Sequence, residues 1–180
     1  MNPTDHSLGK IVLDDIDLTF RKQKELAERA IAQVDDDEFF RTIDDESNSI
    51  AIIVKHVGGN LRSRWTDFLA SDGEKPDRDR DGEFVVAEDT RAAVMETWNA
   101  GWQALFTTFE SLRPSDLSAV VRIRSEEMTA VAAMHRAVAH VAQHAGQIVL
   151  LAKHFRSSDW KTLSIPRGKS SEWLTRPAHR

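Results

Sequence analysis

Two histidines, His140 and His144, stand four residues apart inside Met134–Gln147, a strongly helical stretch. Residues at that spacing lie one above the other on a single helix face. Two imidazoles held that way can close on one metal ion and need only one or two ligands from elsewhere. His56 offers a third from Val54-Lys55-His56-Val57-Gly58-Gly59-Asn60, again inside a helical pattern. Three neutral imidazoles with open positions would form a catalytic-type centre that keeps water or substrate on the metal. The chain has no cysteine and no tyrosine. Disulfides, thiolate nucleophiles, Cys-ligated zinc and a phenolic general acid are thereby excluded, and any metal takes nitrogen and oxygen ligands.

At 100° per residue, His144 lies about 40° from His140, Gln147 about −20° and Arg136 about −40°. This polar stripe is flanked by Val138, Val141, Ile148 and Leu151, which suits a core, so the polar groups need partners. On the earlier helix His56 shares a face with Asn60 and Ser63. Other readings stay open, since His-x-x-x-His pairs arise by chance on helix surfaces and a buried histidine is often satisfied by a hydrogen bond. His135 falls on the opposite side of its helix. His154 lies about 21 Å along the axis from His140, too far to share an ion, and suits a helix C-terminus. His6 and His179 are assigned nothing.

Four long segments with the helical period must position these residues. The first runs from about Ile11 to Val34, with Ile11, Ile16, Phe20, Ala27, Ile31 and Val34 facing inward. Asp35-Asp36-Asp37 breaks the pattern, and Phe39, Phe40 and Ile43 suggest a short packed connector. The second begins near Ser47 or Asn48 and continues to about Leu69. It contains Gly58-Gly59, which costs about 1 kcal/mol per glycine relative to alanine and points to a close backbone approach or room for a ligand. Residues 71–86 read as a loop. The third helix spans about Thr90 to Ser111 on Val94, Trp98, Leu105 and Phe109. Residues 119–124 are strand-like, a small hairpin or an extended linker. The fourth helix runs from about Glu126 to Phe155, and the tail from Trp160 to Ser170 folds back as an ordered coil. Trp65, Trp98 and Trp102 have core or interface spacing, and Trp160 anchors the tail; Trp173 has no evident place. The fold class is therefore all-α, one four-helix bundle domain over residues 1–180 with a long loop between helices 2 and 3.

With 180 residues, 41% hydrophobic, 29% charged and a formal charge of −5, the chain suits one soluble globular domain. The acidic balance argues against a nucleic-acid surface, and the interleaved charges suggest no steering field. No apolar run approaches the roughly 18 residues that cross a bilayer, so no membrane partner is expected. The first residues lack the layout of a secretory signal, and a cytoplasmic location is expected.

The motifs His-Val-Gly-Gly-Asn-Leu at 56–61, Thr66-Asp67-Phe68-Leu69, Asp72-Gly73-Glu74-Lys75, Arg78-Asp79-Arg80-Asp81-Gly82-Glu83-Phe84, the block His140 to Gln147 and the tail Trp160 to Ser170 together resemble the DinB/YfiT-like superfamily. More narrowly they resemble a bacterial subgroup of DinB-like proteins catalogued as a domain of unknown function. The resemblance covers nearly the whole chain. It implies an up-down-down-up four-helix bundle, a homodimer, and a divalent metal (nickel, zinc or iron) held by His56, His140 and His144. Characterised relatives include transferases of low-molecular-weight thiols such as bacillithiol and a mycothiol-dependent isomerase. The function expected is thus metal binding, with a metal-dependent thiol transferase acting on a small-molecule substrate as the leading form. Asn60, Arg136 and Gln147 would orient or neutralise the bound cofactor, and the loop at 78–81 would either cover the bundle mouth or serve as surface ion pairs. Two alternatives stand beside it: a non-enzymatic stress-responsive bundle with a structural metal, whose fourth ligand would be Asn60 or Asp79, and a metal-dependent hydrolase, which would need a carboxylate base near the ion.

Overall fold

Capping residues set where the helices begin. In the computed structural model, which describes residues 7–171, side-chain oxygens of Ser7, Ser49, Thr90 and Thr129 each accept a first-turn backbone N–H. They open α1 (Leu8–Ile31), α3 (Ile50–Trp65), α4 (Arg91–Ser111) and α5 (Ala130–Arg156). A fifth helix, α2 (Asp36–Phe40), is shorter. The triple aspartate is its start: Asp35 accepts the Glu38 N–H at 2.8 Å, and the Glu38 carboxylate accepts the Asp35 N–H at 3.0 Å. Phe39 is fully buried beneath it, whereas Ile43 is exposed.

The described residues are thus mostly helical, with one two-stranded antiparallel sheet formed by β1 (Val120–Ile123) and β2 (Glu126–Thr129). Helix α3 packs most extensively on α4 and α1 on α5, and α3 also meets α5. Among the described residues no helix is long and apolar enough to cross a membrane.

Several expected boundaries move, each for a local reason. Residues Glu126 to Thr129 are strand and not helix, because they pair with β1 from Val120–Thr129 to Ile123–Glu126. Helix α3 stops at Trp65, not near Leu69, because Thr66 is extended and Asp67 has a φ of 49°. Ile11 is 51% exposed; the inward stripe of α1 starts instead at Leu13 and Ile16. The tail does fold back, with Lys161 and Gln33 exchanging two hydrogen bonds at 2.8 and 3.0 Å and Trp160 packed against the core. His6, Trp173 and His179 lie outside the described residues.

The core joins Phe20, Trp65 and Trp102, whose rings meet edge-on at 5.8 and 6.3 Å. Trp98 is also buried and donates from Nε1 to Glu28 at 3.1 Å. The tryptophans at core spacing are therefore core. Gly58 faces Gly101 where α3 meets α4. A Cβ added at Gly58 would sit 2.6 Å from the Thr97 carbonyl oxygen and 2.8 Å from the Trp98 nitrogen. Neither is a side chain that can swing away.

The connection over 66–90 is tied down from both sides of α3. Lys55 donates to the Val85 carbonyl and Asp89, both at 2.6 Å. Ser63 donates to the Gly73 carbonyl at 2.7 Å. The Asp72 carboxylate accepts the N–H groups of Arg124 and Ser125 at 2.9 and 2.7 Å, the two residues that turn the hairpin at φ 56° and 65°. Loop and hairpin thus stabilise each other beside the end of α3.

Candidate metal centre

Helix α3 presents His56, and α5 presents His140 and His144 one turn apart. The packing of α3 on α5 brings all three imidazoles together. His140 Nε2 lies 3.2 Å from His56 Nε2 and 3.2 Å from His144 Nε2, and one nitrogen from each ring lies within 4.8 Å of the others. His56 is 6% exposed, and the other two are half-buried.

What stands behind two of the rings fixes which nitrogen points inward. His56 Nδ1 lies 2.9 Å from Glu83 Oε2. A carboxylate there is an acceptor, so Nδ1 carries the proton and the Nε2 lone pair faces the cluster. His144 Nδ1 lies 2.7 Å from Gln147 Oε1, and the amide oxygen selects the same tautomer. Both outer rings therefore aim lone pairs at His140 Nε2. One proton on that nitrogen can satisfy them, and so can a cation. A tetrahedral zinc with Zn–N distances of about 2.05 Å places its nitrogens about 3.3 Å apart. The two pairs at 3.2 Å match that spacing, and the third lies within 4.8 Å.

Glu83 lies in a single 3-10 turn, Gly82–Phe84, within the long connection. Its carboxylate is buried and also accepts two hydrogen bonds from Arg78, at 2.7 Å on Oε1 and 2.8 Å on Oε2. Gly59 explains how it fits, since a Cβ at that position would overlap Glu83 Oε1. The two glycines thus have separate reasons: Gly58 admits α4, and Gly59 admits the carboxylate. Phe84 follows directly and packs on the His56 ring at 5.1 Å.

The electrostatics keep the cluster neutral and its support charged. Burial pushes the His140 imidazolium down to about 3, helped by the charges of His144, His56, Arg78 and Arg64. Burial also lowers His144, against the opposing hydrogen bond from Gln147. For Glu83, burial works to raise the carboxyl, but the hydrogen bonds from His56 and Arg78 win and hold it below its ordinary range. Neutral imidazoles backed by an ionised carboxylate are what a divalent cation requires.

A cavity of about 190 Å³ opens beside His56 and His140. Asn60 and Arg136 line it, as the polar stripes anticipate. Gln147 does not; it is exposed and supports His144. Ser63, on the His56 face, anchors the connection. Asp79 is exposed and accepts the Gly82 N–H at 2.9 Å, which keeps it in the turn. Its neighbour Arg78 is no surface residue, with a side chain only 4% exposed between Glu83 and Glu74. His135 and His154 are exposed and apart from the cluster. The functional groups missed by spacing are Glu83 and Arg78. Their only sequence signal is membership of the Arg78–Phe84 motif.

No curated protein and no solved structure matches the chain. The model of the family described as "Protein of unknown function (DUF1572)" matches residues 7–169, and the chain belongs to that family.

Proposed function

We propose that this chain is a DinB-like four-helix bundle of the up-down-down-up type that holds a divalent metal, nickel, zinc or iron, on His56, His140 and His144. In this reading it is a metal-dependent transferase that uses a low-molecular-weight thiol of the bacillithiol or mycothiol type, working in the cytoplasm as a homodimer. The observation that carries the reading is the convergence of three Nε2 atoms, two of them locked as acceptors by Glu83 and Gln147. When bound, the cation supplies a positive charge that lowers the pKa of a thiol brought to its open positions. The chain's own part is to keep the imidazoles neutral, orient His56 through Glu83, and offer Asn60 and Arg136 in the adjoining cavity to a bound molecule. With no cysteine in the chain, the sulfur comes from the small molecule.

The alternatives fit less well. A structural metal wants a closed site; among the described residues no aspartate or glutamate oxygen joins the three histidines, which leaves Asn60, in the adjoining cavity, as the one fourth ligand that this alternative retains. A hydrolase wants a free carboxylate base, and both Glu83 oxygens are engaged.

Elemental analysis of the purified protein, then calorimetry of the metal-loaded chain against bacillithiol, mycothiol and glutathione, tests the proposal. About one metal per chain is expected, with heat from at least one thiol. His140→Ala or His144→Ala should strip the metal while circular dichroism stays close to wild type. Full metal occupancy in a variant with all three histidines replaced by alanine would end the metal reading, and silence with every thiol would end the transferase reading.

A further inference from the structure

The cavity beside the histidines has a wall of one sign. Arg64, Arg78, Arg80, Arg122, Arg124 and Arg136 line it, and no aspartate or glutamate does. They come from α3, the 66–90 connection, the hairpin and α5, so only the fold assembles them. Three carboxylates reach these six guanidiniums. Glu74 bonds Arg64, Arg78 and Arg124, Glu83 bonds Arg78, and Glu127 bonds Arg122. With the Asp72 carboxylate, which accepts the Arg124 N–H and faces Arg64, six cations meet four anions, which leaves two positive charges around a small concave space. Structural ion pairing accounts for Arg78 and for much of Arg64, Arg122 and Arg124. It does not account for Arg136, which makes no hydrogen bond or ion pair among the described residues. Nor does it account for Arg80, exposed like Arg136, whose guanidinium lies over the Phe84 ring at 5.5 Å with no acidic partner among the described residues. Nη1 of Arg64 is buried and also without an acceptor. Gathering like charges on a concave surface is unfavourable in the free protein and raises the local concentration of anions.

Two other features narrow the ligand. The same cavity carries apolar surface from Trp65, Phe68 and Ile123. Its volume of about 190 Å³ suits a small molecule. We propose that this cavity is an oxyanion subsite for a small organic acid. The carboxylate or phosphate sits on Arg136 and Arg80, the apolar body lies against Trp65 and Ile123, and a donor at the other end reaches the three histidines. The last element alone rests on the metal reading; the anion and apolar contacts stand on the cavity wall.

Calorimetry at low salt with the full chain, zinc-loaded and zinc-free, tests this with benzoate, phenyl phosphate and uncharged benzamide. Benzoate or phenyl phosphate should bind and benzamide should not, and the stronger of the two anions identifies the group the site takes. The double variant Arg80→Gln/Arg136→Gln should weaken anion binding by about tenfold or more. Its zinc affinity, measured by chelator competition, should stay at the wild-type value. Equal binding of benzamide and benzoate, unchanged anion affinity in the double variant, or no heat from either anion overturns the subsite. A chain that takes no zinc but still binds benzoate would sink the metal reading and leave the subsite standing.

Discussion

At His56 the group behind the imidazole matters as much as the imidazole. Glu83 accepts the Nδ1–H hydrogen bond at 2.9 Å, which turns Nε2 into a fixed lone pair, and its ionised state makes the ring more basic toward a metal. Glu83→Gln keeps an acceptor oxygen but removes the charge and one side of the Arg78 pairing. Zinc affinity by chelator competition should fall roughly 10- to 100-fold with helicity retained; an unchanged affinity would mean the carboxylate only anchors its loop. The histidines themselves were readable in the chain. His140 and His144 announce a shared face by their spacing, and His56 sits among core residues where a lone imidazole is costly. Glu83 was not readable as their partner, because it follows His56 by 27 residues across a connection with no period. The tautomer that it imposes belongs to the tertiary structure. Gln147 shows a related limit: a helical wheel places it on the stripe of His140 and His144 but cannot tell a cavity-lining residue from one that turns back to hold its neighbour, as Gln147 holds His144.

Helices are legible where one face is buried, and their ends are legible only through caps. The four long elements follow their apolar period, while the strand at Glu126–Thr129 was hidden because Glu-Glu-Met-Thr has no apolar alternation of its own and takes its form from pairing with β1. The short helix at Asp36–Phe40 was hidden behind three aspartates that read as a break and act as a start. Gly58-Gly59 was legible as a demand for space, though not as two demands in different directions. That division can be measured. An alanine in a helix interior gains about 1 kcal/mol over glycine from propensity, so Gly58→Ala would be stabilising if the site were open. The added Cβ instead meets the backbone of Thr97 and Trp98 at 2.6–2.8 Å, and α3 and α4 must move apart. Urea unfolding should show a net loss of about 1–3 kcal/mol. A gain in stability would show that the α3–α4 approach is looser than described.

For the molecule as a whole, folding brings arginines from four separate segments to one cavity, and the burial of His140 beside it sets the acid limit of the metal-free protein. His140 keeps its neutral form down to about 3, whereas in the unfolded chain it takes a proton near 6.5. Between those values the unfolded state binds more protons, so stability falls as pH falls through this window and is flat above it. Glu83 acts in the same direction at lower pH. Its native pKa lies below its unfolded value, so its contribution is complete above about 4.5 and is lost as pH drops through the native value. The range between pH 7.5 and 5.5 therefore isolates the histidines. Over it, His140 alone should remove about 1.4 kcal/mol of stability, with His144 adding in the same sense. Urea midpoints in the presence of a chelator should show wild type losing more than His140→Gln by about that amount. If the two proteins lose stability in parallel, His140 is not held neutral by its surroundings, and the close approach of the three rings must be relieved in solution by a proton that the buried cluster is expected to refuse.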